Sequence, residues 1–302
     1  MIYALAVLGK NSNIATEPHS MTPNKIISKI YPGMPTSDGA GVKLTRMLGT
    51  PELEILDPFL MLDRMDSDDP DSYIAGFPNH PHRGFETVTI MHSGQMRHED
   101  SVGNSGLITP GDVQWMTAGR GIIHSEIPEM LEGRMSGFQL WVNLPAKHKM
   151  VDPKYQDIPA ENIPMIISDG TKVRIIRGTY NNTKGPAESL MPVRVLDITL
   201  EPDASWSINP KKGNSFFFCV YDGSITALDS GGKTQKIDSP SIITFSGDGE
   251  AKVKSNKIGA GVLYCEGEPL NEPVARYGPF VMNTQTEIKK AIDDFNSGKL
   301  TV

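Results

Sequence analysis

Two short pairs of side chains carry the chemistry of this chain: His80 with His82, and His124 with Glu126, the members of each pair separated by one residue. Pro78 and Pro81 disfavour helical geometry at the residues before them, so the first pair is expected in extended backbone. In an extended chain positions i and i+2 project to one face, which aims each pair at a single space. Neighbouring antiparallel strands would bring both pairs to one interior. Three imidazoles and one carboxylate suit Fe(II), Mn, Ni, Cu or Zn and exclude a thiolate site. Four protein ligands on an octahedral ion leave two positions for a bidentate oxygen substrate, or for one substrate oxygen and dioxygen. Once Glu126 neutralises one unit, the ion keeps a charge of about +1, which favours an anionic enolate or catecholate.

Glu86 lies four residues beyond His82 and on the same face if the strand stays regular. It is either a fifth ligand or an acceptor that orients a ligating histidine. Glu126 and Glu86 are also the two candidate catalytic bases. All seven histidines fall in the first half of the chain, so an imidazole site can be built only there. His19, His92, His98 and His148 lack a paired partner and are expected to be solvated or locally hydrogen-bonded. Arg83 and Arg120 flank the pairs and are expected at the surface. Trp115, Met116 and Phe85 fit core packing better than a pocket wall.

The elements that must position these residues read as strands. Lys25–Tyr31, Val42–Leu48 and Glu86–Met91 are short apolar or β-branched runs closed by Gly, Pro or Ser. Phe138, Leu140, Val142 and Leu144 alternate with Gln139, Trp141 and Asn143, the period of a strand packed on one face. Asp63–Ser72 holds five acids in ten residues and reads as a solvated loop. A polar, proline-bearing connection follows, and a second set of strands runs from Val173 to Cys265, with Asp222-Gly223 and Gly231-Gly232 as hairpin turns. One helix is predicted at about 285–297, opened by a Thr284–Glu287 capping box, with Ile288, Ala291, Ile292 and Phe295 on one face and Gly298 closing it. The whole is an all-β chain in two similar halves.

Composition narrows the function. The 302 residues, 38% apolar and 22% charged with 29 Gly and 23 Pro, describe a turn-rich globular chain of about two domains. A net charge of −7 gives no overall positive field for nucleic acid or anionic lipid. Two cysteines, Cys219 and Cys265, match no disulfide framework or zinc motif and read as buried thiols of a cytoplasmic protein. No apolar run approaches bilayer length. Residues 1–21 read as an extension outside the fold, and Met21 could equally be the start.

The segments Phe77–Val88, Pro110–Glu126, Leu140–Leu144 and Gly278–Thr284 resemble the pirin family of the cupin superfamily, and the resemblance runs from about Ile26 to Asn296. It implies two cupin-type β-barrels (a bicupin built on double-stranded β-helices): a metal-binding barrel at 22–150, a linker at 151–164, and a second barrel at 165–302 without a metal site, ending in the short helix. It implies a mononuclear non-haem iron held by His80, His82, His124 and Glu126, with Glu86 moved from ligand to support. Some pirins resemble quercetin 2,3-dioxygenases, which open a flavonol ring with dioxygen. Others are redox-responsive regulators that bind a transcription factor or a metabolic enzyme. The implied partners are thus an aromatic or enolate small molecule with dioxygen, or else a protein.

Overall fold

The computed structural model describes residues 24–129 and 132–302. The extension at 1–21, with His19, lies outside the described residues. The β-branched and aromatic runs form strands as expected, in two domains of cupin type. In the first, an antiparallel sheet runs Lys154–Ile158, Val113–Thr117, Phe85–Ser93, Met135–Asn143, Phe59–Ser67, Val42–Leu48, Met34–Asp38. A second sheet, ordered Phe77–His82, Ile122–Pro128, Met96–Asp100, Ser105–Ile108, packs over it. Val42, Met65, Met91 and Met135 of the larger sheet share a buried cluster with Met96 and Ile108 of the smaller. Among the described residues the two layers share no paired strand; they face each other as the two sheets of the expected cupin-type jelly roll without closing into a continuous ladder.

The second domain is built around one nine-stranded sheet with two long strands, Ser215–Leu228 and Ala251–Gly267, which pair with each other in three successive registers. Its interior holds Val173, Leu196, Phe218, Ile243, Val262 and Tyr264. Asp222-Gly223 is not the hairpin turn the sequence predicted. The Ser215–Leu228 strand runs through it, and Gly223, at φ +61°, sits between two register shifts and forms a bulge. Gly231-Gly232 does turn the chain, into Thr234–Asp238.

A shared core joins the halves, including Phe59 and Leu140 from the first and Val193, Phe217 and Leu263 from the second. Phe59 meets Phe217 edge to face at 5.4 Å. Three segments cross the expected boundaries. Ile26–Pro32 pairs with Ser241–Ser246 of the second sheet. Lys154–Ile158, inside the stretch read as a linker, pairs with Val113–Thr117 of the first. From Ala275 the chain returns to the first domain, where Phe280 bridges Arg83.

The helix spans Gln285–Asn296. Thr284 accepts from the Glu287 amide, and Glu287 reaches back to the Thr284 amide. Such caps contribute about 1 kcal/mol. Ile288 and Ala291 are buried with Phe280, Met282 and Leu300, with Ile123 and Ile292 against them. Lys149 ties this returning segment down: its buried Nζ donates to the Gly84 and Val281 carbonyls at 2.8 and 3.0 Å and to Asn143 Oδ1 at 2.6 Å.

Candidate metal centre

Phe77–His82 and Ile122–Pro128 are antiparallel neighbours, and His124 sits directly opposite His80 in the ladder. Alternation therefore places His80, His82 and His124 on one side of the smaller sheet. Their ring centroids are 4.5 to 5.0 Å apart, and one nitrogen from each lies within 4.8 Å of the others. A register shift between His124 and Glu126 displaces the carboxylate slightly, to 4.0 Å from His124 Nε2. Glu126 is held from the facing sheet by Thr89 Oγ1 at 3.3 Å and by Gln139 Nε2 at 3.4 Å.

The donor chemistry fits a metal. Both ring nitrogens of His82 and of His124 are buried with no hydrogen-bond partner, a costly state unless a ligand uses them. His80 Nδ1 lies 2.9 Å from the Pro78 carbonyl, which can only accept, so Nε2 keeps its lone pair. Burial first, and then repulsion within the cluster, holds His82 and His124 well below the usual imidazole range. They are neutral, the form that binds a metal. Burial raises the Glu126 carboxyl, opposed by His80, Thr89, His98 and Gln139.

Glu86 is not at this site. After His82 the chain turns through Gly84, at φ +93°, where a Cβ would lie 1.9 Å from the Val281 carbonyl. The turn inserts two residues, Arg83 and Gly84, between strands and resets the alternation. Phe85 takes the metal face, its ring 5.1 Å from that of His82, and Glu86 falls on the opposite face. There its buried carboxylate accepts from Trp115 Nε1 (3.0 Å), Thr117 Oγ1 (2.9 Å), Ser189 Oγ (2.5 Å) and the Leu190 amide (3.3 Å). It clasps the two domains together and faces away from the histidine cluster.

Other expectations also shift. Arg83 does turn away from the cluster, but it is buried and pairs with Asp294 of the C-terminal helix at 2.8 Å. Arg120 stays at the surface, paired with Asp152. His98 is buried behind Glu126, with Nε2 3.4 Å from Asp157. His92 hydrogen-bonds not locally but across the domains, to Asp197 at 3.0 Å. Asp63 belongs to a strand and not to a solvated loop: it is buried against Arg46 at 2.7 Å.

The cluster opens into a cavity of about 600 Å³ lined by His80, His82, Glu126, Gln139, Trp141, Met61, Asp63 and Arg276 among others. Trp141 packs against Phe85 at a tilt, with centroids 4.3 Å apart, and meets the His82 ring edge to face at 5.3 Å. Gln139 and Trp141 are thus site residues. The sequence signal was present in their alternation against Phe138 and Leu140, but that phase faces the cavity and not solvent.

Fold and site together define a two-domain cupin with a candidate mononuclear metal centre in its first domain. The Pirin family profile matches residues 41–142, and the Pirin C-terminal cupin domain profile matches residues 195–301. The chain belongs to the pirin family. A Pseudomonas aeruginosa protein bearing the provisional name quercetin 2,3-dioxygenase is 47% identical over 290 residues, covering 93% of this chain and 100% of the relative. Pirin of Homo sapiens is 42% identical over 266 residues, covering 87% and 89%. Among solved structures, a quercetin 2,3-dioxygenase from Acinetobacter baumannii superposes with a TM-score of 0.84 at 36% identity, covering 92% of this chain and 99% of that one.

Proposed function

We propose that this chain is a mononuclear non-haem iron dioxygenase of the quercetin 2,3-dioxygenase type, acting on a flavonol or a similar enolate. His80, His82, His124 and Glu126 would hold the ion. The observation that carries the reading is the group of three clustered imidazoles beside a buried carboxylate, opening onto a cavity large enough for a polyphenol. The likeness to the Acinetobacter baumannii dioxygenase supports it. The same donors would accept Mn, Ni, Cu or Zn, and the family resemblance favours Fe(II).

When bound, the ion supplies a Lewis acid and a route for electron density from an enolate to dioxygen. The protein supplies the proton chemistry and the setting. Glu126, whose proton affinity is raised by burial, takes the proton of the substrate hydroxyl while Thr89 and Gln139 hold it in place. Trp141, backed by the buried Phe85 ring, gives the cavity an aromatic wall that can orient an aromatic ring and exclude water.

Aerobic incubation of the iron-loaded protein with quercetin should release carbon monoxide. His80→Ala should lose the metal without losing the fold. Release no faster than with free iron would overturn the reading, and partner affinity that tracks the oxidation state would then favour the redox regulator.

A further inference from the structure

Arg276 enters the metal cavity from the Ala275–Tyr277 strand of the second domain's returning segment. Its guanidinium lies over the Trp141 ring at 4.9 Å, and Trp141 in turn meets the His82 ring at 5.3 Å. Among the described residues no carboxylate lies within ion-pair distance of it. The other arginine of the cavity, Arg46, is already neutralised by Asp63 at 2.7 Å and Asp38 at 3.2 Å. Arg276 spends one donor on the Gly278 carbonyl at 3.4 Å and one on the Met61 sulfur at 3.8 Å, both weak contacts. Most of its five N–H groups have no protein acceptor. The Trp141 indole N–H on the same wall is buried and also has no acceptor.

We infer that Arg276 is a specificity-determining residue: it selects planar aromatic enolates or catecholates that carry a second anionic oxygen, a carboxylate or phenolate, at the end remote from the metal. This rests on reading the metal centre as the place where the enolate binds. The cation stacked on Trp141 is held one ring contact beyond the metal-facing imidazole. Arg276 lines the same cavity as His80 and His82, so a ring bound at the cluster can turn its far substituent to the guanidinium, whose fork matches a carboxylate.

The test is calorimetric binding of catechol and of 3,4-dihydroxybenzoate to the full-length protein loaded with zinc, at low ionic strength. The acid should bind roughly fivefold tighter than catechol, the size expected of one partly solvated ion pair. Arg276→Gln should erase that preference, and Arg276→Lys should keep part of it. Equal affinities in the parent, or a preference that survives Arg276→Gln, would overturn the assignment and leave the metal-site reading standing. Failure of both compounds to bind would overturn both.

Discussion

Replacing Glu86 with alanine separates two roles that its position four residues after His82 would otherwise confuse. The carboxylate accepts four hydrogen bonds, two from hydroxyls and two from N–H groups. The Thr117 and Ser189 hydroxyls can rotate toward other acceptors, whereas the Trp115 indole and the Leu190 amide have fixed directions. The buried Trp115 indole left alone costs about 1–3 kcal/mol and the more accessible Leu190 amide less, so the substitution should destabilise by about 3 kcal/mol. That is a large share of the roughly 5–15 kcal/mol that holds a domain together. Urea unfolding followed by tryptophan fluorescence should show the loss as a lower midpoint. The remaining folded protein should still bind one metal, because no metal-facing group is touched. A variant that keeps its midpoint but loses turnover would refute this reasoning and restore Glu86 as a catalytic base.

Burial pushes the Lys149 ammonium down to about 8 from its ordinary 10.5. The unfolded chain therefore binds more protons between those values, so stability should rise across pH 8 to 10.5 by up to about 3 kcal/mol, and Lys149→Met should flatten that rise in urea midpoints. Burial works to raise the Asp197 carboxyl, but His92, Arg174 and Tyr221 outweigh it and hold it at about 2, below the ordinary 3.8. Asp197 should thus contribute about 2 kcal/mol above pH 4 that is lost as pH falls through 2, and the stability gap to Asp197→Asn should close over that range. Arg83→Met removes the buried partner of Asp294, which keeps only Lys290 at 3.0 Å. Hydrogen exchange should then quicken in Gln285–Asn296 by an amount equivalent to about 2 kcal/mol.

The metal cluster was legible because each half of it is local: in a strand, two residues on one face are two apart, whatever the strand packs against. The helix was legible for the same reason, since its cap and apolar face lie within one short segment. What escaped depended on contacts made far along the chain. Glu86 changed faces because the turn at Gly84 accommodates the Val281 carbonyl, nearly two hundred residues later. Arg83 is buried only because Asp294 comes to meet it. His98 is covered because Lys154–Ile158, read as a connector, is a strand that stacks Tyr155 on it and brings Asp157 within 3.4 Å. Asp63 and Arg46 are charged residues on a cavity wall, and their types alone describe a surface.

The two domains exchange their ends: Ile26–Pro32 completes the second sheet, and the segment from Ala275 onward covers the first domain. Neither half can therefore be excised as a self-sufficient unit by cutting near residues 151–164. On the ribosome the three histidines emerge well before the wall bearing Arg276 and Pro279, which lies far along the chain. A nascent chain thus exposes its candidate metal donors before their cavity exists, and the pocket can close only once synthesis has passed Pro279.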